Sequence, residues 1–449
     1  MGFKLLVTEY VRANNYKLLN TLVCFASYAG MGSVYTLLGS SLLDYQILIN
    51  ENFQTMATLV QLRAIGDTVG SILAGFIEKY ISLVLCLSLS NLVLGISIIV
   101  SPWFNSFWPL SVATIFGGLS LGFLEIFCHV YIALLWKAQC TNYLQALHLF
   151  FDVGALVAPL ITRPFLLPID FDDYNNRHGI NSTDSKSYTK DDVLIQYPHL
   201  IMGLFLAAVA FIFFIIFIYG NDQIESDDDN DKDKESTNNK PNDGQRSKQI
   251  LAIVLTALIV NFEFGGQNLV SSLGPAFGVK SNLRLDKKEA TLLVTIYWSI
   301  LGLYKLVLIP LTIYSTDVTL IISHVIIAIC GASVMASGAD SNLTLTLISF
   351  GLLSIGFAPC FALCFGLIQK FFTVSSRVTS LIFFFGILGE SIHPWVVSRF
   401  MESSSSFYTN YFATMVFIDS FLCIFLVILM VKFYKKSSPI RDEYQEFSN

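Results

Sequence analysis

Long apolar stretches separated by short polar connections dominate this chain. Twelve stretches hold about 20 or more mostly apolar residues, the length that a helix needs to cross the hydrocarbon of a bilayer. None shows the alternation over about ten residues that is typical of a membrane β-barrel strand. The pattern therefore predicts an all-α membrane protein with twelve transmembrane helices, called spans 1 to 12. The predicted spans are residues 17–42, 56–76, 81–100, 107–135, 141–166, 198–220, 249–273, 290–314, 317–338, 342–368, 374–400 and 408–434.

One long polar stretch interrupts this pattern between spans 6 and 7. Residues 221–247 contain nine acidic and four basic side chains, no aromatic residue and a single isoleucine. Such a segment buries too little apolar surface to offset its ordering entropy, so we predict a disordered acidic cytoplasmic linker. The linker divides the chain into an N-terminal six-helix bundle (1–220) and a C-terminal six-helix bundle (248–436), followed by a cytoplasmic tail (437–449).

The composition agrees with a membrane protein. The chain is 54% hydrophobic and 13% charged, whereas soluble domains average about 25% charged residues. It contains no phosphate-binding loop, nucleophile elbow or HExxH sequence, so we predict neither an enzyme nor an ATP-driven pump. Cys360 and Cys364 share a helix face, but two thiols without a further ligand predict no metal site. We expect no organic cofactor and no nucleic-acid partner.

Basic residues and a glycosylation sequence indicate the orientation in the membrane. Most Lys and Arg residues of the short connections fall on the side that also holds both termini and the linker, which predicts that this side is cytoplasmic. The loop 167–197 then lies outside, and it carries the sequon Asn181-Ser182-Thr183. We therefore predict glycosylation at Asn181.

Ionisable residues occur at mid-depth in several spans, where burying a charge costs about 3 kcal/mol on insertion scales. The predicted mid-depth carboxylates are Asp67, Glu125, Asp152, Glu263 and Glu390, in spans 2, 4, 5, 7 and 11. Spans 3, 6, 9 and 12 are the spans expected to face lipid, and the five carboxylates avoid them. Asp419 in span 12 is the exception, and this pattern does not explain it.

These carboxylates come with polar neighbours at helical spacing. Polar residues three or four positions away share a helix face with them. The groups are Arg63 with Asp67, Glu125 with His129, Gln145 and His148 with Asp152, Glu390 with His393, and Glu263 with Gln267 and Asn268. Two interpretations remain open: these groups lock helices together, or they line a polar cavity. We also predict a break in span 7 at Gly265-Gly266 and kinks at Pro159 and Pro394, at equivalent places in the two halves.

Six plus six spans joined by an acidic linker resemble the major facilitator superfamily. That superfamily has a glycine, an acid and a base between spans 2 and 3, and Gly75, Glu78 and Lys79 match this motif in part: the acid is Glu, the spacing is one residue shorter, and the final glycine is missing. The resemblance implies a gating role for Gly75, Glu78 and Lys79. The i,i+4 spacing of Arg63 and Asp67 near the cytoplasmic end of span 2 predicts a structural role for that pair.

Three further motifs resemble the sodium-dependent glucose transporter subfamily, which is related to the fucose permease branch. They are the run from Gln145 and His148 to Pro159, Arg63 ahead of two glycines, and Gly389-Glu390 ahead of Pro394. The resemblance implies a facilitative or cation-coupled hexose carrier at the plasma membrane. Carriers of the fucose permease branch use acids in spans 1 and 4 for proton coupling. Glu125 matches the acid in span 4, whereas span 1 has an acid only at its outer end, Asp44, which argues against proton symport of the same design.

We therefore predict a monomeric carrier that moves a hexose across the bilayer by alternating access. The predicted substrate-binding residues are Glu125, Gln145, His148, Asp152, Glu263, Gln267, Asn268, Glu390 and Trp298, the last through its aromatic face. Glu125 or Asp152 is predicted to bind the coupling ion, sodium or a proton. The alternatives are a carrier for another small polar solute and a membrane sensor or scaffold that does not transport.

Overall fold

The computed structural model describes residues 14–77, 80–136, 140–168, 189–219, 243–369, 376–401, 403–404 and 406–436. In these ranges twelve helices are long and apolar enough to cross a membrane, so the chain is a multi-pass membrane protein. In chain order the candidate spans are Asn15–Ile49, Phe53–Ile77, Leu83–Trp103, Phe107–Trp136, Tyr143–Phe165, Gln196–Tyr219, Arg246–Lys280, Lys287–Leu308, Asp317–Ala336, Leu343–Ile368, Leu381–Phe400 and Phe407–Lys432.

The predicted all-α architecture is confirmed, because the described residues form helices and turns without a strand. A helix satisfies its backbone hydrogen bonds internally, which a segment in hydrocarbon requires. The helix that leads into span 7 begins at Asp243, inside the predicted linker, whereas residues 220–242 lie outside the described residues.

A first compact unit consists of the described residues within Met1–Thr237, Val270–Ser299 and Pro394–Glu402. It holds spans 1 to 6 together with the ends of spans 7, 8 and 11 on the predicted extracellular side. Within it, span 2 packs on span 4, span 1 on span 5, and span 3 on span 6.

Glycine allows two of these helix pairs to approach closely. A Cβ atom at Gly154 of span 5 would overlap the carbonyl oxygen of Ala29 in span 1, and one at Gly32 would overlap that of Phe151. Across the same contact, the Ser33 and Thr36 hydroxyls donate to the carbonyl oxygens of Gly154 and Ala155 at 3.2 and 2.9 Å. Spans 2 and 4 approach in the same way through Gly66, Gly70, Gly118 and Gly122.

A second compact unit consists of the described residues within Asn238–Leu269, Ile300–His393 and Ser403–Asn449. In it, span 9 packs against spans 10 and 12, and span 12 packs against span 7. Gly389 of span 11 faces the carbonyl oxygen of Asn261 in span 7, so closely that a Cβ atom would overlap it.

The close contact between spans 5 and 1 recurs between spans 11 and 7. The glycine at the contact is Gly154 in span 5 and Gly389 in span 11. In both spans a proline follows five residues later, at Pro159 and Pro394. Both prolines lie inside their helices, as the sequence predicts. The common spacing identifies these two helix pairs as equivalent parts of an internal repeat.

Span 7 differs from the sequence prediction. Its first helix, Asp243–Asn268, runs without a break through Gly265 and Gly266. The irregularity is a π-helical segment, Leu269–Leu273, which follows that helix directly and leads into the short helix Gly274–Lys280. Packing explains why the helix continues: Gly265 lies against His393, and Gly266 lies against Phe357 and Phe412. The two glycines therefore serve close packing rather than a break.

The contact between spans 1 and 5 predicts the effect of adding one methyl group. Gly154→Ala would push the methyl against Ala29 and should destabilise the protein by about 1–3 kcal/mol, as overpacking does. Gly75→Ala is the matched control, because no atom lies within 4 Å of a Cβ there. Thermal unfolding of both variants in detergent measures the difference. Equal melting temperatures would contradict the close contact.

Candidate functional site

A cluster of polar side chains lies inside the first unit, at the meeting of spans 1, 4 and 5. We call it the N-terminal polar cluster: Tyr28, Glu125, His129 and His148. The Tyr28 hydroxyl lies 2.9 Å from Nδ1 of His129, and it donates to the carbonyl oxygen of Glu125 at 3.4 Å. Nε2 of His129 lies 3.3 Å from Nε2 of His148. The cluster thus joins three spans through hydrogen bonds.

The acceptors around His129 assign its tautomer. Nδ1 lies 2.7 Å from the carbonyl oxygen of Glu125, which can only accept, so Nδ1 carries the hydrogen. Nε2 of neutral His129 then accepts, and His148 donates through its own Nε2. The carboxylate of Glu125 lies 4.0 Å from Nδ1 of His129, and 29% of its side chain remains exposed. The cluster therefore presents a partly open carboxylate beside two linked imidazoles.

The other polar residues that the sequence predicts in the first half lie outside the N-terminal polar cluster, and their exposure and contacts differ from one another. Asp152 is 2% exposed, whereas Gln145, two turns earlier in span 5, is exposed. The Arg63 guanidinium lies 4.3 Å above the ring of Tyr35. Asp67 lies at the close contact of spans 2 and 4, where its Oδ1 is 2.9 Å from the position of a Cβ at Gly122.

Three predicted residues lie outside the described residues: Glu78 and Lys79 of the loop motif, and the sequon residue Asn181. Gly75 of the same motif is exposed, with open space around its Cα.

Trp298 is buried in an aromatic cluster of the first unit. Its ring makes edge contacts with Tyr35 and Phe151, at centroid distances of 6.3 and 5.9 Å, and its Nε1 donates to the Ser271 hydroxyl at 3.1 Å. Only 1% of Trp298 is exposed. A sugar can stack on this ring only after the cluster has opened, so its role as a binding residue stays a prediction.

The second unit holds its own group of polar contacts on spans 7, 11 and 12. Gln267 donates to Oε1 of Glu263 at 3.3 Å, and Asn268 donates to the carbonyl oxygen of Glu390 at 2.7 Å. Glu263 is 3% exposed, and Glu390 is half-buried. The four residues predicted from the sequence therefore lie on two facing helices, spans 7 and 11.

His393 connects three helices of this unit. The Asn261 amide donates to the carbonyl oxygen of Phe385 at 2.7 Å, which turns its Oδ1 toward Nε2 of His393 at 3.1 Å. Nε2 therefore carries the hydrogen, and Nδ1, 2.9 Å from the Tyr411 hydroxyl, accepts from it. We call Asn261, His393 and Tyr411 the C-terminal histidine bridge.

Sequence reasoning did not assign Tyr28, Asn261 or Tyr411 to the site. Asn261 lies seven residues before Asn268, on the same helix face, and this spacing is the one signal in the sequence that could have found it. The two tyrosines lie on other spans than the histidines they contact. The chain contains 19 tyrosines, so the presence of these two gave no such signal.

A buried ion pair closes the predicted extracellular side of the first unit. Lys287, at the start of span 8, donates to Oδ1 of Asp44 in span 1, and the backbone N–H of Leu167 donates to Oδ2 at 3.2 Å. Asp44 is 0% exposed and Lys287 is 6% exposed. The pair joins helices from the two sequence halves and is a candidate gate.

These observations define a polytopic membrane protein with hydrogen-bonded polar groups inside its helical units. Residues 21–394 match the family described as Major Facilitator Superfamily, so the chain belongs to that superfamily and the resemblance found in the sequence is confirmed. The superfamily match, together with relatives that are named as transporters, identifies the chain as a member of a transporter family rather than of an enzyme family.

Two relatives illustrate the range of similarity. The human sodium-dependent glucose transporter 1 is 24% identical over 209 residues, which cover 44% of this chain and 40% of the human protein. The Danio rerio major facilitator superfamily domain-containing protein 4A is 22% identical over 441 residues, which cover 86% of this chain and 83% of the relative. The first match thus spans about two-fifths of the relative that carries a named activity.

Solved structures share the fold. A partially occluded, inward open structure of the xylose transporter XylE from E. coli has a TM-score of 0.67 at 13% identity, and covers 91% of this chain and 97% of that one. A mutant of the nucleoside transporter NupG has a TM-score of 0.62 at 10% identity, and covers 93% and 99%. The predicted major facilitator fold is confirmed.

The pair of Asp44 and Lys287 predicts a coupled effect on stability. Asp44→Leu leaves the buried ammonium without its counter-charge and should cost about 3–5 kcal/mol. Lys287→Met should cost a similar amount, and the double variant should recover most of the loss because it leaves no buried charge. Lys288→Met, at the neighbouring lysine, is the control. Thermal unfolding of the four variants tests this, and additive losses in the double variant would contradict a direct pair.

Proposed function

We propose that this protein is a secondary transporter that moves a hexose across the membrane by alternating access. The observation that carries the proposal is the N-terminal polar cluster, which holds a partly exposed carboxylate and two linked imidazoles inside membrane spans. Ionisable groups are costly at that depth unless they face partners or a water-filled cavity. Membership in a transporter superfamily supports a cavity that admits a solute.

The chemistry of the two polar groups suits a sugar. Hexose hydroxyls both donate and accept hydrogen bonds, and carboxylates, imidazoles and amides supply the complementary groups. In the first half we propose Glu125, Gln145, His148 and Asp152 as substrate ligands. In the second half we propose Glu263, Gln267, Asn268 and Glu390, with Trp298 against the ring. A glucose transporter among the relatives and a xylose transporter among the structural neighbours support this substrate class.

Glu125 is the first candidate for cation coupling, with Asp152 second. Its carboxylate is open enough to take up an ion and lies beside His129. Either sodium or a proton fits such a carboxylate. A relative named for sodium dependence favours sodium, whereas the linked imidazoles favour a proton. The cation should bind more tightly when the sugar is bound, because coupling between two ligands is reciprocal.

Uptake of labelled glucose into proteoliposomes tests the proposal. The wild-type protein should accumulate sugar when a sodium or proton gradient is imposed, and the two gradients are applied separately. Glu125→Gln should lower accumulation by about tenfold, because the coupling between ion and sugar is lost. Glu289→Gln is the matched control, since that exposed carboxylate lies in the first turn of span 8, outside the proposed set.

Sugar binding and gradient-driven uptake distinguish the outcomes. Glu125→Gln is expected to lower gradient-driven accumulation by about tenfold and sugar binding by less, because the glutamine amide still forms hydrogen bonds with sugar hydroxyls. Unchanged accumulation in that variant would exclude Glu125 as the coupling residue. A folded wild-type protein that takes up neither glucose nor other hexoses would exclude the hexose carrier and favour a carrier for another solute, or a sensor.

We further propose that the protein resides in the plasma membrane with both termini in the cytoplasm. The distribution of basic residues and the sequon support this orientation. Protein expressed in eukaryotic cells should gain electrophoretic mobility after glycosidase treatment, and Asn181→Gln should abolish that shift. A shift of unchanged size in Asn181→Gln, or no shift in the wild type, would contradict an external loop 167–197 glycosylated at this residue.

A further inference from the structure

Three cysteine thiols meet in the interior of the second unit. Cys360 and Cys364 come from span 10 and Cys423 from span 12, and all three side chains are buried. Their Sγ atoms lie within 4.8 Å of one another, and those of Cys360 and Cys423 are 3.5 Å apart. We call these residues the thiol cluster. Cys360 and Cys364 alone predicted no metal site from the sequence, and the fold brings Cys423 to them as a third thiol.

The local structure of span 10 places two of the thiols. Its first helix ends at Phe357, and a new helix, Cys360–Gln369, begins directly after Pro359. Cys360 and Cys364 are one helical turn apart in that second helix, so they share a face. Span 12 faces them with Asp419 and Cys423, which are also one turn apart. Two pairs of potential ligands therefore oppose each other across one helix contact.

Asp419 supplies a second, independent observation. It is 4% exposed, and within the described part of the chain its Oδ1 has no hydrogen-bond partner. Asp419 and Cys360 line the same cavity, which has a volume of about 10 Å³. Span 12 begins at Phe407, so Asp419 lies about 18 Å along the helix, inside the hydrocarbon. A carboxylate at this depth requires a partner, and a cation would provide one.

The nearby histidine is engaged elsewhere. His324 lines the same cavity, but its Nδ1 donates to the carbonyl oxygen of Leu320 at 2.6 Å, and its Nε2 accepts from the Tyr304 hydroxyl at 2.8 Å. Both ring nitrogens are thus occupied. The candidate donors are therefore the three sulfurs of the thiol cluster and the Asp419 carboxylate, of which Cys360 and Asp419 line the cavity.

We propose that Cys360, Cys364, Cys423 and Asp419 form a structural zinc site that ties span 10 to span 12. A zinc ion held tetrahedrally by sulfur at about 2.3 Å places the sulfur atoms about 3.8 Å apart. The observed separations of the sulfur atoms, from 3.5 Å to at most 4.8 Å, enclose that value, so the three thiols need only small side-chain movements. Asp419, one turn before Cys423 in span 12, lies outside the group of sulfur atoms and would turn its carboxylate toward the ion as the fourth ligand.

The mixed donor set selects the metal. Zinc accepts thiolate and carboxylate together, whereas copper(I) prefers sulfur alone, and magnesium and calcium prefer oxygen. Two ionised ligands, the Asp419 carboxylate and one thiolate, neutralise a divalent ion, and each further thiol that binds as thiolate releases its proton. The bound ion would satisfy the unpaired Asp419 oxygen and fix the interruption of span 10 at Pro359.

Metal binding to the purified full-length protein in detergent and reductant tests the proposal. Cobalt(II) should produce a sulfur-to-cobalt charge-transfer band, zinc should displace it at one ion per chain, and zinc should raise the melting temperature. Cys423→Ser should weaken zinc binding by at least about 100-fold, because losing a direct ligand costs no less than losing an outer-shell partner of a ligand. Asp419→Asn, which keeps all three thiols, should retain the band with weaker affinity. Cys330→Ser is the control, because that thiol is exposed and lies in span 9.

Several results would overturn the proposal. One is a wild-type protein that shows no charge-transfer band and no zinc-dependent rise of the melting temperature. Another is a loss of zinc affinity in Cys330→Ser as large as that in Cys423→Ser. A disulfide between Cys360 and Cys423 in zinc-free protein isolated without reductant would also overturn it, since two of the ligands would be consumed. None of these measurements depends on transport. They therefore test the proposed zinc site independently of the proposed hexose transport.

Discussion

The requirement that polar groups inside a membrane find partners within the protein governs this structure. Ionisable side chains in the spans are expensive unless paired or hydrated, and many here have identified partners. Asp44 pairs with Lys287, Glu125 lies beside His129, and His393 bridges Asn261 and Tyr411. Because the contacts of Asp44 with Lys287 and of His393 with Asn261 and Tyr411 join different helices, the same requirement helps to fix which spans meet and concentrates the polar chemistry inside each unit.

Close helix contacts made by glycine support these polar groups. The contacts between spans 1 and 5 and between spans 7 and 11 use a glycine in the same relation to a later proline. Backbones that approach this closely hold side chains on adjacent turns at fixed distances. His148 of span 5 and His393 of span 11 both lie on helices held in this way. The repeat thus provides two rigid supports, and each carries a histidine whose hydrogen bonds join further helices.

Hydropathy alone predicted the spans, because the bilayer imposes one length and one composition on every crossing helix. Mid-depth carboxylates and their neighbours in the same helix were likewise readable from spacing. Partners on other helices could not be predicted from spacing. Asp44 and Lys287 lie 243 positions apart in the sequence, and no residue near Cys360 in the sequence indicates that it meets Cys423. The break expected at Gly265-Gly266 was wrong because close packing also selects glycine, and sequence alone does not separate the two uses. Asp419 had no explanation until span 10 was placed beside it.

The central claim is that the mid-span polar residues of the first unit face water and solute rather than lipid. Substituted-cysteine accessibility measures this directly, with a charged thiol reagent on a background in which Cys140 and Cys330 are serine. The account predicts that His148→Cys reacts quickly and that glucose slows the reaction, whereas Phe211→Cys, on the exposed apolar face of span 6, stays unreactive. A His148→Cys protein that reacts no faster than Phe211→Cys, with or without sugar, would contradict the account.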